Sequence, residues 1–370
     1  MKSNYSLLCG ALCGVLLWLA SPLIWAANLS VVFVSPGAEN EPYWRSVTRF
    51  MQPAARQLGI ELEVIYCNRD QIKLTDAVHQ ITLRAKKPDY LIISNDRSAA
   101  GAMLRMAGEA KIKTLLAFST FVPEQVLEFG VPRQKFPYWI GAISPNSSEA
   151  GRLTADELVR QMQKAHLSSS DGKMHVAVIG GDKFTPTGVQ RMAGAMRAFE
   201  AQPSVVVEQA VYGNWDRERA KQQTELLLQR YPKLNAIWTA SDLMAYGAMT
   251  AAEGAGRKPG RDLLFATFNN SPEVLRNVVE GRIAALAGGH FTAGAWALVM
   301  LYDYHHGVDF AKQGLEQELS LFALLDDKMA QRFLTRFGEE DFSSIDFRKF
   351  SRVLNPKLER YDFGLAQVLK

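Results

Sequence analysis

The sequence predicts an α/β protein with two doubly wound lobes, each built on a parallel β-sheet. The chain has 370 residues, which is too long for one comfortable hydrophobic core. From Leu29 onward, short β-branched runs alternate with longer segments of helical periodicity, the pattern of parallel strands joined by crossover helices. The polar stretch 144–148 separates two such series, which predicts a boundary between two sheets.

The N-terminus has the features of an export signal. Lys2 precedes an apolar run over residues 7–20, and the small pair Ala26 and Ala27 follows it. This order predicts a signal peptide over residues 1–26 and a periplasmic location. The run is shorter than the roughly 20 residues that a spanning helix needs, so an uncleaved membrane anchor is the weaker alternative.

Cysteine content and net charge limit the function classes. Cys9 and Cys13 leave with the predicted signal peptide, so the mature chain keeps Cys67 alone and forms no internal disulfide. The apolar neighbours of Cys67 predict a packed thiol rather than a reactive one. The formal net charge is +4, which lacks the strong basic excess of nucleic-acid-binding proteins. We therefore expect no nucleic-acid partner.

The first series of elements predicts the first sheet. Residues 29–35 form an apolar strand, residues 36–40 a loop, and residues 43–58 a helix with apolar side chains at helical spacing before Gly59. The same pattern recurs, with strands predicted at 61–67, 90–93, 114–117 and 138–142. Residues 27–143 are therefore assigned to an N-terminal lobe.

The second series begins after the polar stretch. Its strands are predicted at 175–179, 205–211, 236–239 and 263–267, within a C-terminal lobe that covers residues 144–288. A further strand at 283–287 runs into a helix at 293–304, where the chain returns to the first lobe. From about residue 326, helical spacing gives way to irregular polar and aromatic residues, which predicts a tail packed on a lobe, with a partner-binding surface as the alternative.

Candidate ligand residues follow the strand ends, because ligands of open parallel sheets bind beyond the carboxyl ends of the strands. They are Glu41, Tyr43 and Trp44 after the first strand, Ser94 and Asp96 after the third, Arg191 and Trp215 in the second lobe, and Asp242 and Asn269 after its later strands. Aromatic faces beside carboxylates suit sugars. Each group also has a structural alternative. The rings would only staple the helix to the sheet, the polar groups would cap helices, and Arg191 would be exposed to solvent. Six such strand ends together favour a pocket.

These residues form motifs that resemble the ribose-type, or type I, periplasmic binding proteins. The motifs are residues 42–44, Arg191 within 190–196, residues 215–216, the Ser-Asp-Leu-Met-Ala-Tyr-Gly-Ala stretch at 241–248, and residues 268–272. The resemblance covers roughly residues 28–310 and extends more loosely to the periplasmic receptor for the furanose signal autoinducer-2. It implies two lobes joined by a three-strand hinge.

The resemblance also implies domain limits and residue roles. The N-terminal lobe would comprise residues 27–143 and 289–318, the C-terminal lobe residues 144–288 and about 319–340, and the tail residues 341–370. Tyr43 and Trp44 would sandwich the ligand ring from the first lobe, and Trp215 would cover it from the second. Ligand hydroxyls would be held by Glu41, Ser94 or Asp96, Arg191, Asp242 and Asn269.

The sequence departs from the family pattern at three ligand positions. Ser119 and Thr120 stand where an Asp-Arg pair is usual, Gly289 and His290 stand near the place of a glutamine, and Asn269 replaces an aspartate. Ser119 and His290 therefore join the candidate ligand residues. Buried polar contacts carry most of the discrimination between ligands, so this pattern predicts a ligand other than ribose.

The predicted function is periplasmic binding of a small, polar, sugar-like ligand by hinge closure, which shifts the protein toward its closed form. We expect delivery to an inner-membrane ABC-type permease; the alternative is signalling to a membrane sensor kinase or cyclase. We expect a monomer, no metal site, no cofactor and no catalysis, since no dinucleotide, phosphate-loop or nucleophile-elbow motif is present. A sugar-responsive repressor is disfavoured by the export signal and by the lack of a DNA-binding module before Leu29.

Overall fold

The computed structural model describes residues 29–369 as two lobes, each with one six-stranded sheet flanked by helices. This confirms the predicted fold class. The signal peptide predicted for residues 1–26 lies outside the described residues. Within residues 29–369, no helix is both long and apolar enough to cross a bilayer.

The first nine elements all belong to the first lobe, which α10 and β11 complete later in the chain. They are β1 (Leu29–Ser35), α1 (Pro42–Leu58), β2 (Ile60–Tyr66), α2 (Gln71–Thr82), β3 (Tyr90–Ile93), α3 (Ala100–Glu109), β4 (Lys113–Ala117), α4 (Pro123–Phe129) and β5 (Trp139–Pro145). Side chains of β1 point alternately to two faces, and both faces are buried: Val31 and Phe33 pack in one apolar cluster, Val32 and Val34 in another. Burial on both faces explains the continuous apolar strand sequences.

The second lobe repeats the alternation of strands and helices. Its elements are α5 (Ser147–Lys164), β6 (Met174–Gly180), α6 (Pro186–Glu200), β7 (Val205–Tyr212), α7 (Arg217–Arg230), β8 (Leu234–Thr239), α8 (Asp242–Gly254), β9 (Leu264–Phe268), α9 (Pro272–Val279) and β10 (Ala285–Gly288). The remaining elements are α10 (Ala293–His305), β11 (Glu316–Leu319), β12 (Ala323–Leu324), α11 (Asp327–Phe337) and α12 (Leu365–Val368).

The two sheets have the same strand order. The first runs β2-β1-β3-β4-β5-β11 and the second β7-β6-β8-β9-β10-β12. The pairs are parallel except for β10 with β12, which is antiparallel. Each sheet reverses its winding direction at its first strand, so each has a crevice beyond the carboxyl ends of β1 and β3, or of β6 and β8, where ligands of such sheets bind.

Three adjacent segments connect the lobes. The chain leaves the first sheet after β5, returns after β10, and crosses again between β11 and β12. β5 extends to Pro145, three residues past the predicted end at 142, because Ser144 and Pro145 pair with Glu318 and Leu319 of β11. That pairing partner is distant in sequence, so local pattern did not reveal it.

Gly289 is a residue that the hinge requires. Its φ is +114°, a backbone conformation that only glycine adopts readily. A Cβ atom there would lie 2.2 Å from the carbonyl oxygen of Leu321 in the neighbouring hinge segment. The second and third connections can therefore lie against each other only because this residue has no side chain.

The tail packs against helices α1 and α10 of the first lobe. Gln57 donates a hydrogen bond to the carbonyl of Ile345 and accepts one from the amide of Phe347. The rings of Phe342 and Phe347 each lie 5.1 Å from that of Phe50. The C-terminal segment then returns to α11, where Arg332 donates to the Leu369 carbonyl at 2.7 Å.

Candidate ligand-binding cleft

One cavity lies between the lobes, where the loops after the strands of both sheets meet. It encloses about 620 Å³ of empty space, including that at its mouth. The eleven residues predicted from the sequence all line it: Glu41, Tyr43, Trp44, Ser94, Asp96, Ser119, Arg191, Trp215, Asp242, Asn269 and His290. The structure therefore brings them together, and their contact with a ligand stays a prediction.

Four lining residues have unusual backbone conformations. Arg69, Phe118, Trp215 and Asn269 have φ values of +56°, +69°, +62° and +96°, in the left-handed region that non-glycine residues seldom occupy. Each lies in the loop directly after a strand. Such conformations persist only where surrounding structure holds them, and they concentrate at functional sites.

The first-lobe aromatic residues differ from the expected sandwich. Tyr43 and Trp44 meet edge to face, with ring centroids 4.9 Å apart and planes at 72°, so no ligand ring fits between them. Tyr43 instead stacks on His290, which stacks in turn on Phe322 of the third hinge connection. The expected sandwich was wrong because consecutive residues at a helix start project in different directions.

His290 is a neutral side chain at the centre of this stack. It is buried, and its pKa lies well below the ordinary value, first because burial disfavours the charged ring and then because Arg191 is nearby. Its Nδ1 atom has no hydrogen-bond partner among the described residues. His290 can thus offer a ligand one unsatisfied ring nitrogen without carrying charge.

Arg191 is buried, contrary to the solvent-exposed alternative. Its guanidinium carbon lies 4.5 Å from the centroid of Phe268, and Nη1 donates to the carbonyl of Ala240 at 2.9 Å. Burial lowers its pKa to about 10, so the group remains a cation at neutral pH. Its Nε atom has no partner within the described part of the chain and is available as a donor.

Asp242 is oriented by three donors from its own lobe. One carboxylate oxygen accepts from Asn269 Nδ2 at 2.6 Å and from the amide of Leu243 at 2.9 Å, and the other from the Ser271 hydroxyl at 2.9 Å. Burial raises its pKa to about 6, against these hydrogen bonds. Asn269 therefore both lines the cavity and holds a neighbouring carboxylate.

Trp215 is held rigidly in the second lobe. Its indole nitrogen donates to Asp182 at 2.7 Å, and a Cβ atom on Gly181 would lie 2.2 Å from its ring. The glycine therefore allows the ring to pack against the loop after β6. Asp182 was not predicted from the sequence, although it follows a strand end as the predicted residues do.

The two acidic candidates of the first lobe, Glu41 and Asp96, do not serve as helix caps. Glu41 is the N-cap residue of α1, yet its side chain makes no capping hydrogen bond and pairs with Arg69 instead. Asp96 is buried, and burial raises its pKa to about 6, partly offset by Arg69. Asn95, not Asp96, accepts the hydrogen bond from the amide of Ala100 at 3.3 Å.

Seven further lining residues are not among the predicted ligand residues, although the motif at 241–248 contains two of them. They are Arg69, Phe118, Pro145, Thr185, Thr187, Ser241 and Leu243. Arg69 is the one charged residue among these seven. It lies in the loop that follows β2, so the strand-end rule applied to that strand would have found it. Pro145 and Phe118 have no polar signature in the sequence; Pro145 ends β5 at the first hinge connection, and Phe118 directly follows β4.

Six lining side chains hold buried polar atoms that have no hydrogen-bond partner among residues 29–369. These atoms are Trp44 Nε1, Asp96 Oδ1, Ser119 Oγ, Arg191 Nε, Ser241 Oγ and His290 Nδ1. Buried polar atoms in folded proteins are nearly always paired. Six such atoms around one cavity that aromatic rings also line indicate a site for a small polar molecule.

Comparison with known proteins identifies the family. A family model described as a periplasmic binding protein domain matches residues 31–307, which are 277 of the chain's 370 residues. The chain belongs to the periplasmic binding protein family. Its resemblance to the ribose-type members, inferred from motifs, is thereby confirmed.

Individual members of this family are similar over most of the chain. The crystal structure of a periplasmic sugar-binding protein from Pseudomonas fluorescens is 37% identical, with a TM-score of 0.84, and the match covers 92% of this chain and 100% of that one. The ribose import binding protein RbsB of Salmonella typhimurium is 24% identical over 66% of this chain and 74% of its own length.

A more distant solved structure shares the fold. It is an ABC transporter periplasmic solute-binding protein from Actinobacillus succinogenes with bound D-allose, at 22% identity and a TM-score of 0.70, covering 82% of this chain and 99% of that one. At this identity the likeness concerns the two-lobed architecture alone.

Proposed function

We propose that this protein binds a small, sugar-like ligand in the inter-lobe cavity and delivers it to an ABC-type permease of the inner membrane. The observation that carries the proposal is the set of six unpaired buried polar atoms on side chains that line one cavity. Family membership supports it, as do the sugar ligands in the names of the relatives.

In this proposal, both lobes contribute ligand contacts. Arg191 Nε donates to a ligand oxygen, and Asp96 Oδ1 accepts from a ligand hydroxyl. The Ser119 hydroxyl can donate a hydrogen bond to a ligand oxygen or accept one from a ligand hydroxyl. The rings of Trp44 and Trp215 supply apolar surface for the C–H faces of a sugar. Glu41, Tyr43, Ser94, Asp242, Asn269 and His290 complete the proposed contacts and hold their neighbours in position.

Hinge closure is the proposed mechanism. In the form described here, the lobes touch across the cleft, since the amide of Arg97 donates to Thr185 Oγ1 and Thr187 Oγ1 donates to the carbonyl of Phe118, both at 3.4 Å. A ligand that contacts both lobes gains its full interaction only in this closed form and shifts the population toward it. The permease would recognise the closed form.

The remaining assignments belong to the same proposal. The mature protein begins after a signal peptide at residues 1–26, resides in the periplasm, acts as a monomer without cofactor, and performs no catalysis. Its lobes comprise residues 27–143 with 289–318 and residues 144–288 with about 319–340, followed by the tail. No observation favours the sensor-kinase or cyclase alternative.

A thermal-shift screen of residues 27–370 tests ligand binding. The panel contains pentoses, hexoses, polyols, furanose signals, nucleosides and amino acids, with Trp215→Ala and Arg191→Ala as cavity variants. Arg84→Ala is the control, because Arg84 pairs with Glu63 on the surface of the first lobe. A ligand that binds the native fold raises the melting temperature by mass action.

The expected result is a sugar-like hit whose shift disappears in both cavity variants and remains in the control. A hit that is indifferent to both cavity variants would show that the ligand binds elsewhere, and a hit among the amino acids or nucleosides would exclude the sugar class. Delivery is tested by uptake of the radiolabelled hit in cells with and without the gene. Unchanged uptake would exclude the transport role.

A further inference from the structure

We propose that Arg69 is a positioning residue that clamps the two lobes: Glu41 of the first lobe holds its guanidinium, which contacts the Trp215 ring of the second lobe and stabilises closure. This inference deepens the proposed function. It states that one residue of the cleft, Arg69, favours the closed form of the protein. The experiment that tests it requires no ligand.

The loop that carries Arg69 is fixed to the first lobe. Asn68 and Arg69 both have positive φ, at +54° and +56°, a strained conformation for non-glycine residues. Their amides donate to the carbonyls of Gly37 and Pro36, in the loop after β1. The backbone is therefore held against the neighbouring strand end, and the side chain starts from a defined position.

Glu41 fixes the plane of the guanidinium. Arg69 Nε donates to one Glu41 oxygen at 3.1 Å, and Nη2 donates to the other. A bidentate pair of this kind fixes orientation as well as distance. The two side chains are only 20% and 11% exposed, so solvent weakens the pair less than it would on the surface.

The contact across the cleft is with Trp215. The guanidinium carbon of Arg69 lies 5.3 Å from the centroid of the indole, within the range of a favourable cation–π interaction. The indole is itself held by Asp182. Because both partners are fixed to their own lobes, the contact exists only when the lobes approach, and it thus favours the closed form over the open one.

The third neighbour of Arg69 lies within the first lobe. Asp96 Oδ2 is 3.9 Å from Arg69 Nη1, which is an ion-pair distance but too long for a hydrogen bond. This contact persists in the open and closed forms alike, since both residues belong to one lobe. The interactions that change when the cleft opens are therefore those with the second lobe, namely the contact with the Trp215 ring and the electrostatic attraction of Asp182 behind it.

The test is a distance measurement between the lobes without ligand. Nitroxide labels on cysteines that replace Leu127 of α4 and Leu226 of α7, which are 83% and 62% exposed, report the inter-lobe distance by pulsed electron paramagnetic resonance. Cys67 is buried and should remain unlabelled. Arg69→Gln is expected to lower the closed-to-open ratio about fivefold, the size of one cation–π contact.

Matched variants separate the clamp from other effects. Arg84→Gln removes an arginine that pairs with Glu63 inside one lobe, so it should leave the distance distribution unchanged. Trp215→Leu should shift the distribution in the same direction as Arg69→Gln, and the double variant should shift it by less than the sum of the two, because both remove the same cation–π contact. Arg69→Lys keeps the charge and provides a milder replacement if Arg69→Gln fails to fold.

The outcomes are decisive for this inference alone. Equal distributions in the parent protein and in the Arg69 variants would overturn the clamp, and so would additive shifts in the double variant. Neither result depends on a ligand being found. A failed ligand screen would therefore remove the proposed function while leaving the clamp in place. A successful screen with unchanged distance distributions would remove the clamp and leave the proposed function.

Discussion

The imidazole of His290 stacks on the ring of Tyr43, with centroids 4.7 Å apart and planes inclined by 17°. Tyr43 lies in the first turn of helix α1, and His290 directly follows the second hinge connection, so almost 250 residues separate the two. The stack joins the wall of the cavity to the hinge. Burial within the stack keeps His290 neutral, and this makes the stability of the protein depend on pH.

Replacing His290 with phenylalanine should remove a pH-dependent loss of stability. The folded-state pKa of His290 is depressed, while the unfolded chain titrates near 6.5. Below about pH 6.5 the unfolded state binds a proton that the folded state does not, so stability falls by about 1.4 kcal/mol per pH unit. Between pH 7.5 and pH 5.5, the free energy of unfolding in urea should fall by about 1.4 kcal/mol more for the native protein than for His290→Phe. A pH-independent difference would mean that the fold does not depress the pKa of His290.

Asp96 should show the opposite dependence. Its folded-state pKa is raised to about 6, above the unfolded value of about 3.9. The folded state therefore binds more protons in this window, and stability is lost as the pH rises from about 4 to 6, at about 1.4 kcal/mol per unit. Relative to Asp96→Asn, the native protein should be less stable at pH 6.5 than at pH 4.5. If the native protein becomes more stable relative to Asp96→Asn as the pH rises from 4.5 to 6.5, the pKa of Asp96 is not raised.

The position of Arg191 depends on Gly151 of the neighbouring helix. A Cβ atom on Gly151 would lie 2.0 Å from the carbonyl oxygen of Arg191, so Gly151→Ala must push α6 away from α5. We expect a loss of about 1–3 kcal/mol in the free energy of unfolding and at least tenfold weaker binding of the screened ligand by calorimetry.

Gly108→Ala is the matched control for that substitution. Gly108 lies in α3, and a Cβ atom there would meet nothing within 4 Å. The control should gain about 0.5–1 kcal/mol, because alanine restricts the unfolded chain and favours the helix. If the two variants behave alike, the close approach of α5 and α6 does not determine the position of Arg191.

The tail should depend on one buried carboxylate. Asp303 of α10 accepts hydrogen bonds from the Ser351 hydroxyl, the amide of Arg352 at 2.7 Å and the Tyr361 hydroxyl at 3.0 Å. Asp303→Ala leaves several buried donors unpaired, and we expect a loss of about 3 kcal/mol or more in urea unfolding. Asp76→Ala, on the exposed face of α2, should change stability by less than about 0.5 kcal/mol. Equal effects would show that the tail is held by its aromatic contacts instead.

Sequence patterns predicted the two-lobed class, most strand positions and the loops that form the cleft. Periodicity predicts strands and helices because burial on a sheet or a helix face is a local property of the chain. The strand-end rule succeeded for Glu41, Arg191 and Asp242 because parallel strands bring their carboxyl ends to one edge. Applied to β2, it would also have found Arg69.

The tertiary structure alone decided which groups touch. The edge-to-face contact of Tyr43 with Trp44, the stack of Tyr43 on His290, and the pairing of Arg69 with Glu41 depend on side-chain directions that residue spacing does not specify. The burial of Arg191 depends on its packing against Phe268 and Phe322, which are distant in sequence. The sequence by itself determined the elements and the edge where they meet, since these follow from local hydrophobic pattern. Contacts between distant segments, and the pKa values that burial creates, came only from the packed three-dimensional arrangement.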